Sequence, residues 1–421
     1  MAQTKVKSGL IDASFGTDWD STIQTTNFTA VAGEGYFVNT TSSEITVTLP
    51  AGTVGNEVII QDYAGTFATN IVIVAANGSE KIQGSTDDYK CETNNATINL
   101  VYQDATKGWT ANNIENNNPV ILNYLVIAGG GGGPSGYQAG GAGAGGYRSA
   151  YNSEASGGGG AAETALTLQG ATNYTVTVGA GGAGGPALNA TSSSYPSNGN
   201  DSVFASITSV GGGAGASYWN GTGSSGNLGD SGNKGKDGGS GGGTGFRDML
   251  ALAGGSGTIS QGYAGGGING TYGAPYSGGS GGGAGSAGTT TGTGVLGNGG
   301  NGVVSTITGS SVTRAGGGGG GVYQGTLSTG GTGGGGAGGR ASAPDTAAAA
   351  IAGTVNTGGG AGGGGITNTA GVAGGSGIVI LRYSNSFTVT NPGSGLTLST
   401  STDGSDKVTS ITAGTGNIQF N

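Results

Sequence analysis

The chain reads as an all-β and irregular protein in three parts: an N-terminal antiparallel β domain, a central packed array of extended glycine helices, and a small C-terminal β-cap. Three observations carry this expectation. Between Gly129 and Gly377 the sequence is dominated by glycine and holds most of the chain's 103. On both sides of that field, apolar and polar residues alternate with period two over short runs. Helical periodicity is absent from the N-terminal stretch.

Residues 1–25 are polar and read as an attachment segment, with a frayed terminus as the competing reading. Residues 26–118 form the β domain. Alternation runs through Glu44–Leu49, Glu57–Asp62, Asn70–Ala75 and Thr97–Tyr102, separated by Pro50-Ala51-Gly52, Gly65, Asn77-Gly78 and Lys107-Gly108. Short strands with such turns predict an antiparallel sandwich or prism. A polar hinge around residues 112–119 marks the boundary with the glycine field, residues 119–383.

Two physical readings of that field compete. Glycine loses more conformational freedom on folding than any other residue, so a Gly/Ser-rich stretch is ordinarily a flexible linker. The alternative is an array of threefold helices rising about 3.1 Å per residue, whose outward N–H and C=O groups are satisfied only by neighbouring helices. Three consecutive glycines clear every face of one turn. Uninterrupted runs such as Gly316–Gly321 and Gly362–Gly365 are therefore expected at the centre, while Ser328 reads as a loop position.

The punctuation favours order. Apolar, β-branched segments lead into glycine runs at Tyr124–Ala128, Asn173–Val178, Asp201–Val210 and Val303–Ala315, and Ile378–Tyr383 closes the field. NDSVFASITSVGGG and NGVVSTITGSSVTRAGGGGGG read as one unit used twice. Within these strands Tyr174, Val203, Phe204 and Ile207 are expected in a core. After Tyr383, residues 384–421 carry four short alternating runs and NPG, DGS and GTG turns, the expected cap over the end of the array.

LVIAGGGGG, GAGGYR, YTVTVGAGG, ASITS, STITG and GIVILRY, in that order, resemble the glycine-rich domain of bacteriophage tail-fibre proteins and adhesins over about residues 122–383. TLPA, DYAGTFATN, NGS and LVY…GW resemble a β domain of tail-fibre proteins over roughly residues 30–112, with Lys90-Cys91-Glu92 departing from that pattern. The first resemblance implies a sandwich of parallel and antiparallel polyglycine-II helices whose loops recognise a receptor on the host surface. The second implies a homotrimeric fibre. Together they imply a virion protein, extracellular after release, whose partners are copies of itself, phage tail or fibre components and a host glycan or outer-membrane protein. A purely structural filament subunit is the alternative.

The residues narrow the chemistry. With 13 Lys+Arg against 22 Asp+Glu the net charge is −9, which disfavours a nucleic-acid partner. The absence of histidine removes the commonest general base and metal ligand, and the one cysteine, Cys91, allows no intrachain disulfide. Asp87/Asp88, Glu154/Glu163 and Asp237/Asp248 are nominal carboxylate pairs that read as solvated surface groups. No cofactor or catalytic residue is expected. The N-terminus lacks the apolar core of a secretory signal.

Side chains suited to recognition interrupt the glycine field. The candidates are Tyr137, Tyr218, Trp219, Asn220, Phe246, Arg247, Tyr263, Tyr272, Tyr276 and Tyr323. Aromatic rings on Gly/Ser/Asn loops combine rigid contact area with adaptable polar groups. The competing role is packing at the helix ends.

Overall fold

A computed structural model describes residues 17–115, 120–170, 172–187, 195–217, 234–246, 251–271, 273–341, 345–366 and 369–421. All regular elements among them are strands, as the all-β class requires. The chain divides into two compact units, Met1–Asn118 and Pro119–Asn421.

In the first unit the strands are β1 (Asp18–Gln24), β2 (Phe28–Thr29), β3 (Glu34–Val38), β4 (Ile45–Thr48), β5 (Glu57–Asp62), β6 (Val72–Ala75), β7 (Tyr89–Cys91), β8 (Ala96–Asp104) and β9 (Gly108–Glu115). Odd and even strands separate at first: one sheet runs β1-β3-β5-β8-β9 and the other β2-β4-β6-β7. The chain thus winds from sheet to sheet through its first six strands, and each turn adds a parallel strand. The antiparallel expectation is corrected here. β1/β3, β3/β5, β2/β4 and β4/β6 are parallel, and only β5/β8, β6/β7 and β8/β9 are antiparallel. Short turns usually signal hairpins because parallel neighbours need a long crossover. In this coil the strand in the opposite sheet is the crossover. Alternation is identical in both arrangements, since each sheet buries one face: Val38, Val47, Val58, Ile60, Val74, Cys91, Ile98 and Leu100 fill the space between them.

The N-terminal motifs close this coil. The Asp62 carboxylate accepts hydrogen bonds from the N–H groups of Ala64, Gly65, Thr66, Phe67 and Asn95. Glu80 accepts from the Gly52 N–H at 2.9 Å and from Trp109 Nε1 at 3.3 Å. The Tyr102 ring lies where a side chain on Gly52 would stand, edge-on to Trp109 at 5.6 Å.

In the second unit β10 (Val120–Ile127) opens the glycine field and β20 (Ile378–Ser384) closes it. The two pair side by side, antiparallel, from Asn123↔Arg382 to Ile127↔Ile378. Both faces of this pair are buried. Leu122, Tyr124, Val126, Val379, Leu381 and Tyr383 enter one cluster, and Leu125, Ile127, Ile378 and Ile380 enter another. Near-continuous apolar sequence is what such doubly covered strands need. The second cluster also holds Ala144, Ala284 and Ala315 from glycine helices, and so joins the sheet to the array.

Around them lie β11 (Tyr147–Ala150), β12 (Leu166–Leu168), β13 (Tyr174–Thr177), β14 (Ser202–Phe204), β15 (Ile207–Ser209), β16 (Ala251–Leu252), β17 (Ile268–Asn269), β18 (Val303–Ser305) and β19 (Val312–Arg314). The repeated unit of the sequence appears as two hairpins, β14–β15 and β18–β19, each feeding a glycine run. Phe204 and Ile207 are core residues, Tyr174 packs against them, and Val203 is half-buried. The C-terminal strands β21 (Val389–Thr390), β22 (Leu396–Asp403) and β23 (Asp406–Phe420) join the sheet that holds β10 and β20. The last two alternating runs form one strand, β23, which pairs with β20 and β22 through its first half and with β13 and β21 through its second.

The glycine field is a polyglycine-II array. From Gly129 to Gly133, successive N–H groups donate to Asn200, Gly375, Gly143, Ser197 and Val372, at 2.9–3.0 Å. Partners recur every third residue: Gly129 and Gly132 address one neighbour, Gly130 and Gly133 another, as a threefold helix demands. Their carbonyls accept from Gly212, Gly182, Ala361, Gly215 and Gly185 in turn. One run thus bonds six surrounding segments. Gly316–Gly321 is enclosed likewise, donating to Gly333, Gly300, Ala142, Gly336, Gly297 and Ala139, and all six of its residues are buried. Ser328 departs from expectation: it is fully buried, its hydroxyl 3.4 Å from that of Ser277.

Candidate aromatic recognition surface

The array has two ends. Gly129 leaves β10 at the sheet end and the run reaches Pro134 at the far end. Residues 139–145 return to β11. Hydrogen bonds then place the other runs on this axis. Phe246 donates its N–H to Gln138 at the far end, while Ser240 donates to Ala144 near the sheet. Gly278 and Gly321 bond each other at the far end, whereas Ala284 and Ala315 bond each other in the cluster under the sheet.

At the far end four candidates come together. Tyr137 and Tyr323 stand edge-to-face with centroids 6.3 Å apart, Tyr323 and Tyr276 at 6.1 Å, and Tyr276 and Phe246 at 6.2 Å. Interplanar angles of 78–85° give each contact the favourable quadrupole geometry of T-shaped pairs. The four rings come from four segments that are remote in sequence. Phe246 is 4% exposed and forms the base, Tyr137 and Tyr276 are half-buried, and Tyr323 is 36% exposed at the rim.

The backbone beneath the rings includes two of the left-handed non-glycine residues among those described. Gln138 and Tyr276 hold φ of 46° and 52°, a left-handed conformation that costs a non-glycine residue about 1–2 kcal/mol. In a chain where glycine is the commonest residue, these two left-handed positions carry large side chains.

Loops are also bonded to one another. Pro275 C=O accepts the N–H groups of Tyr323 and Gln324 at 3.3 and 3.4 Å. Single bridges link Ser277 to Val322, Val322 to Arg340 and Arg340 to Ala348. Asp345 Oδ2 accepts the Gly325 N–H at 2.6 Å, and Arg340 Nη1 donates to the Gly325 C=O at 2.6 Å. Arg340 and Asp345 escaped notice in the sequence, where charge in a polar loop carries no signal.

The remaining candidates divide. Tyr263 is at the sheet end, half-buried, its hydroxyl over the Gly158–Gly159 turn and its N–H donating to Gly283. Tyr218, Trp219, Asn220, Arg247 and Tyr272 lie outside the described residues. Among the carboxylate pairs, Glu163 is held by Arg148 in two 2.7 Å hydrogen bonds and by the Tyr124 hydroxyl at 2.6 Å, and Glu154 accepts from Thr306. Asp248 is outside the described residues. Among the described residues no group of three or more Cys, Asp or Glu is placed to hold a metal ion, and no helix is long and apolar enough to cross a membrane.

None of the curated proteins compared with the chain matches it. A family model does: that of the glycine-rich domain, over residues 104–384, well beyond half the chain. The match spans the opening strand, the array with its far-end aromatic cluster, and the closing strand. The chain therefore belongs to the glycine-rich domain family.

Proposed function

We propose that the protein is a phage tail-fibre adhesin that binds a host-surface receptor, a glycan or an outer-membrane protein, through the far end of its glycine array. The observation that supports this reading is the convergence of Tyr137, Tyr323, Tyr276 and Phe246 from four segments onto one end of a rigid scaffold. Packing alone does not call for it, because the glycine runs satisfy one another through the backbone. Rings at the rim supply contact area at low entropic cost and hydroxyls for hydrogen bonding. The scaffold lets loops vary without disturbing a side-chain core. The described residues before Tyr218 and Arg247, Ser217 and Phe246, also stand at this end, since Ala216 bonds Gly140 and Gly243.

A homotrimer, carried on tail or fibre components in the virion, is part of the same proposal. Repeated copies raise avidity when each site binds weakly. The test is adsorption of the purified protein to a panel of bacterial strains. Wild type is expected to adsorb to a subset, and a Tyr276→Ala/Tyr323→Ala variant to lose at least about tenfold in affinity, since interface aromatics dominate binding energy. Equal adsorption by the variant would reject the surface. A filament subunit would instead adsorb to no strain and self-associate through this end.

A further inference from the structure

The Tyr323 tip is held from outside its own loop, and we propose that Arg340 and Asp345 are the positioning residues that fix it for binding. The inference rests on the adhesin reading. Both polar groups of a single peptide residue, Gly325, are engaged by opposite charges from the next loop: Asp345 Oδ2 takes its N–H at 2.6 Å and Arg340 Nη1 donates to its C=O at 2.6 Å. Arg340 Nε donates in turn to the Thr346 C=O at 2.9 Å. The guanidinium thereby spans two loops, and its planar fork is what reaches two carbonyls at once. Gly325 has φ of 85°, and nothing but Pro275 lies within 4 Å of where its side chain would be. The tip therefore has no packing of its own at that residue.

The adjoining N–H groups of Tyr323 and Gln324 are taken by Pro275, in the loop that carries Tyr276. Arg340 also anchors the clamp through its backbone, whose N–H donates to the Ala348 C=O and which forms a single β-bridge to Val322. Three loops form one bonded platform with Tyr276 and Tyr323 fixed 6.1 Å apart on it. Preorganisation of this kind raises affinity by removing the ordering cost from the binding step. The clamp joins rim loops, whereas the glycine helices bond one another through the backbone. Its loss should therefore loosen the tip and leave the array intact.

The test uses the full chain with Arg340→Ala, Arg340→Lys, Asp345→Ala and Tyr323→Ala, and a Tyr323→Ala/Arg340→Ala double variant. Amide exchange at Gln324 and Gly325 should rise about tenfold in the three clamp variants, lysine included, with melting temperature within about 2 °C of wild type. Adsorption to a strain that binds wild type should fall about tenfold for Arg340→Ala, and the change should add nothing in the Tyr323→Ala background. Unchanged exchange, a lysine variant equal to wild type, or an additive loss in the double variant would each overturn the proposal; the last would make Arg340 a direct contact. If wild type adsorbs to no strain, the adhesin reading fails while the exchange result still decides the clamp.

Discussion

Asp62 shows how much one side chain organises in the N-terminal unit. Its carboxylate collects five N–H groups from two segments, and the residue is 5% exposed. An Asp62→Ala change would strand those donors, at about 1–3 kcal/mol for each that stays buried and unpaired. The expected loss of several kcal/mol would appear as accelerated amide exchange across β5 and β8, and unaltered exchange there would show that water replaces the carboxylate. Tyr36 supplies a pH test. Burial, together with the 2.5 Å hydrogen bond it donates to Glu34, pushes its phenol up from 10.0 to about 12. The folded chain holds this proton more tightly than the unfolded chain does. Its stabilisation is thus complete below pH about 10 and is lost as pH rises from about 10 towards 12. A Tyr36→Phe variant should lose less stability than wild type across that window in alkaline unfolding titrations, and parallel curves would assign the alkaline loss to other tyrosines.

At the scale of elements, the glycine helices make the most direct mutational claim. A Cβ on Gly318 would stand 1.9 Å from the Ala361 carbonyl oxygen, and one on Gly363 2.1 Å from that of Ala139. Real Cβ contacts are never so short, so neighbouring helices must separate and lose hydrogen bonds. Gly318→Val and Gly363→Val should each destabilise by several kcal/mol. Buried Ser328 cannot serve as the reference. Gly393, with nothing within 4 Å of its Cβ position and no positive φ, can: Gly393→Val should be nearly neutral. Three coincident thermal unfolding curves would refute the array. This element was legible in sequence because its rule is steric and local, three bare residues per turn. Strand direction in the N-terminal unit was not legible, because Val38, Val47 and Val58 alternate identically in a hairpin and in a coil. The far-end surface was half legible. Tyr137, Tyr276 and Tyr323 stand among the recognition candidates, but the glycine flanks that point to Phe246 and Tyr276 as tips misplace Phe246, which is buried at the base. Glycine also flanks Tyr263, which packs at the other end. Only the three-dimensional pairing of runs tells the two ends apart.

Across the whole molecule, the way the glycine array is held together should be visible in its heat capacity. Ordinary domains gain about 12–15 cal/mol/K per residue on unfolding, because exposed apolar surface raises heat capacity more than exposed polar surface lowers it. Here the apolar clusters of the second unit concentrate in and against its sheet, around β10, β20 and β23. The runs beyond them bury peptide groups against peptide groups. Their unfolding exposes N–H, C=O and bare methylene, so the polar term offsets a larger share of the apolar one. The whole chain, whose 421 residues include 103 glycines, should fall clearly below the ordinary range per residue. Calorimetric enthalpy plotted against melting temperature over a series of pH values gives the slope directly. A smaller slope also flattens the stability curve, so that stability changes less with temperature on either side of its maximum. A slope of about 12–15 cal/mol/K per residue would mean that apolar burial, and not the backbone lattice, carries the array.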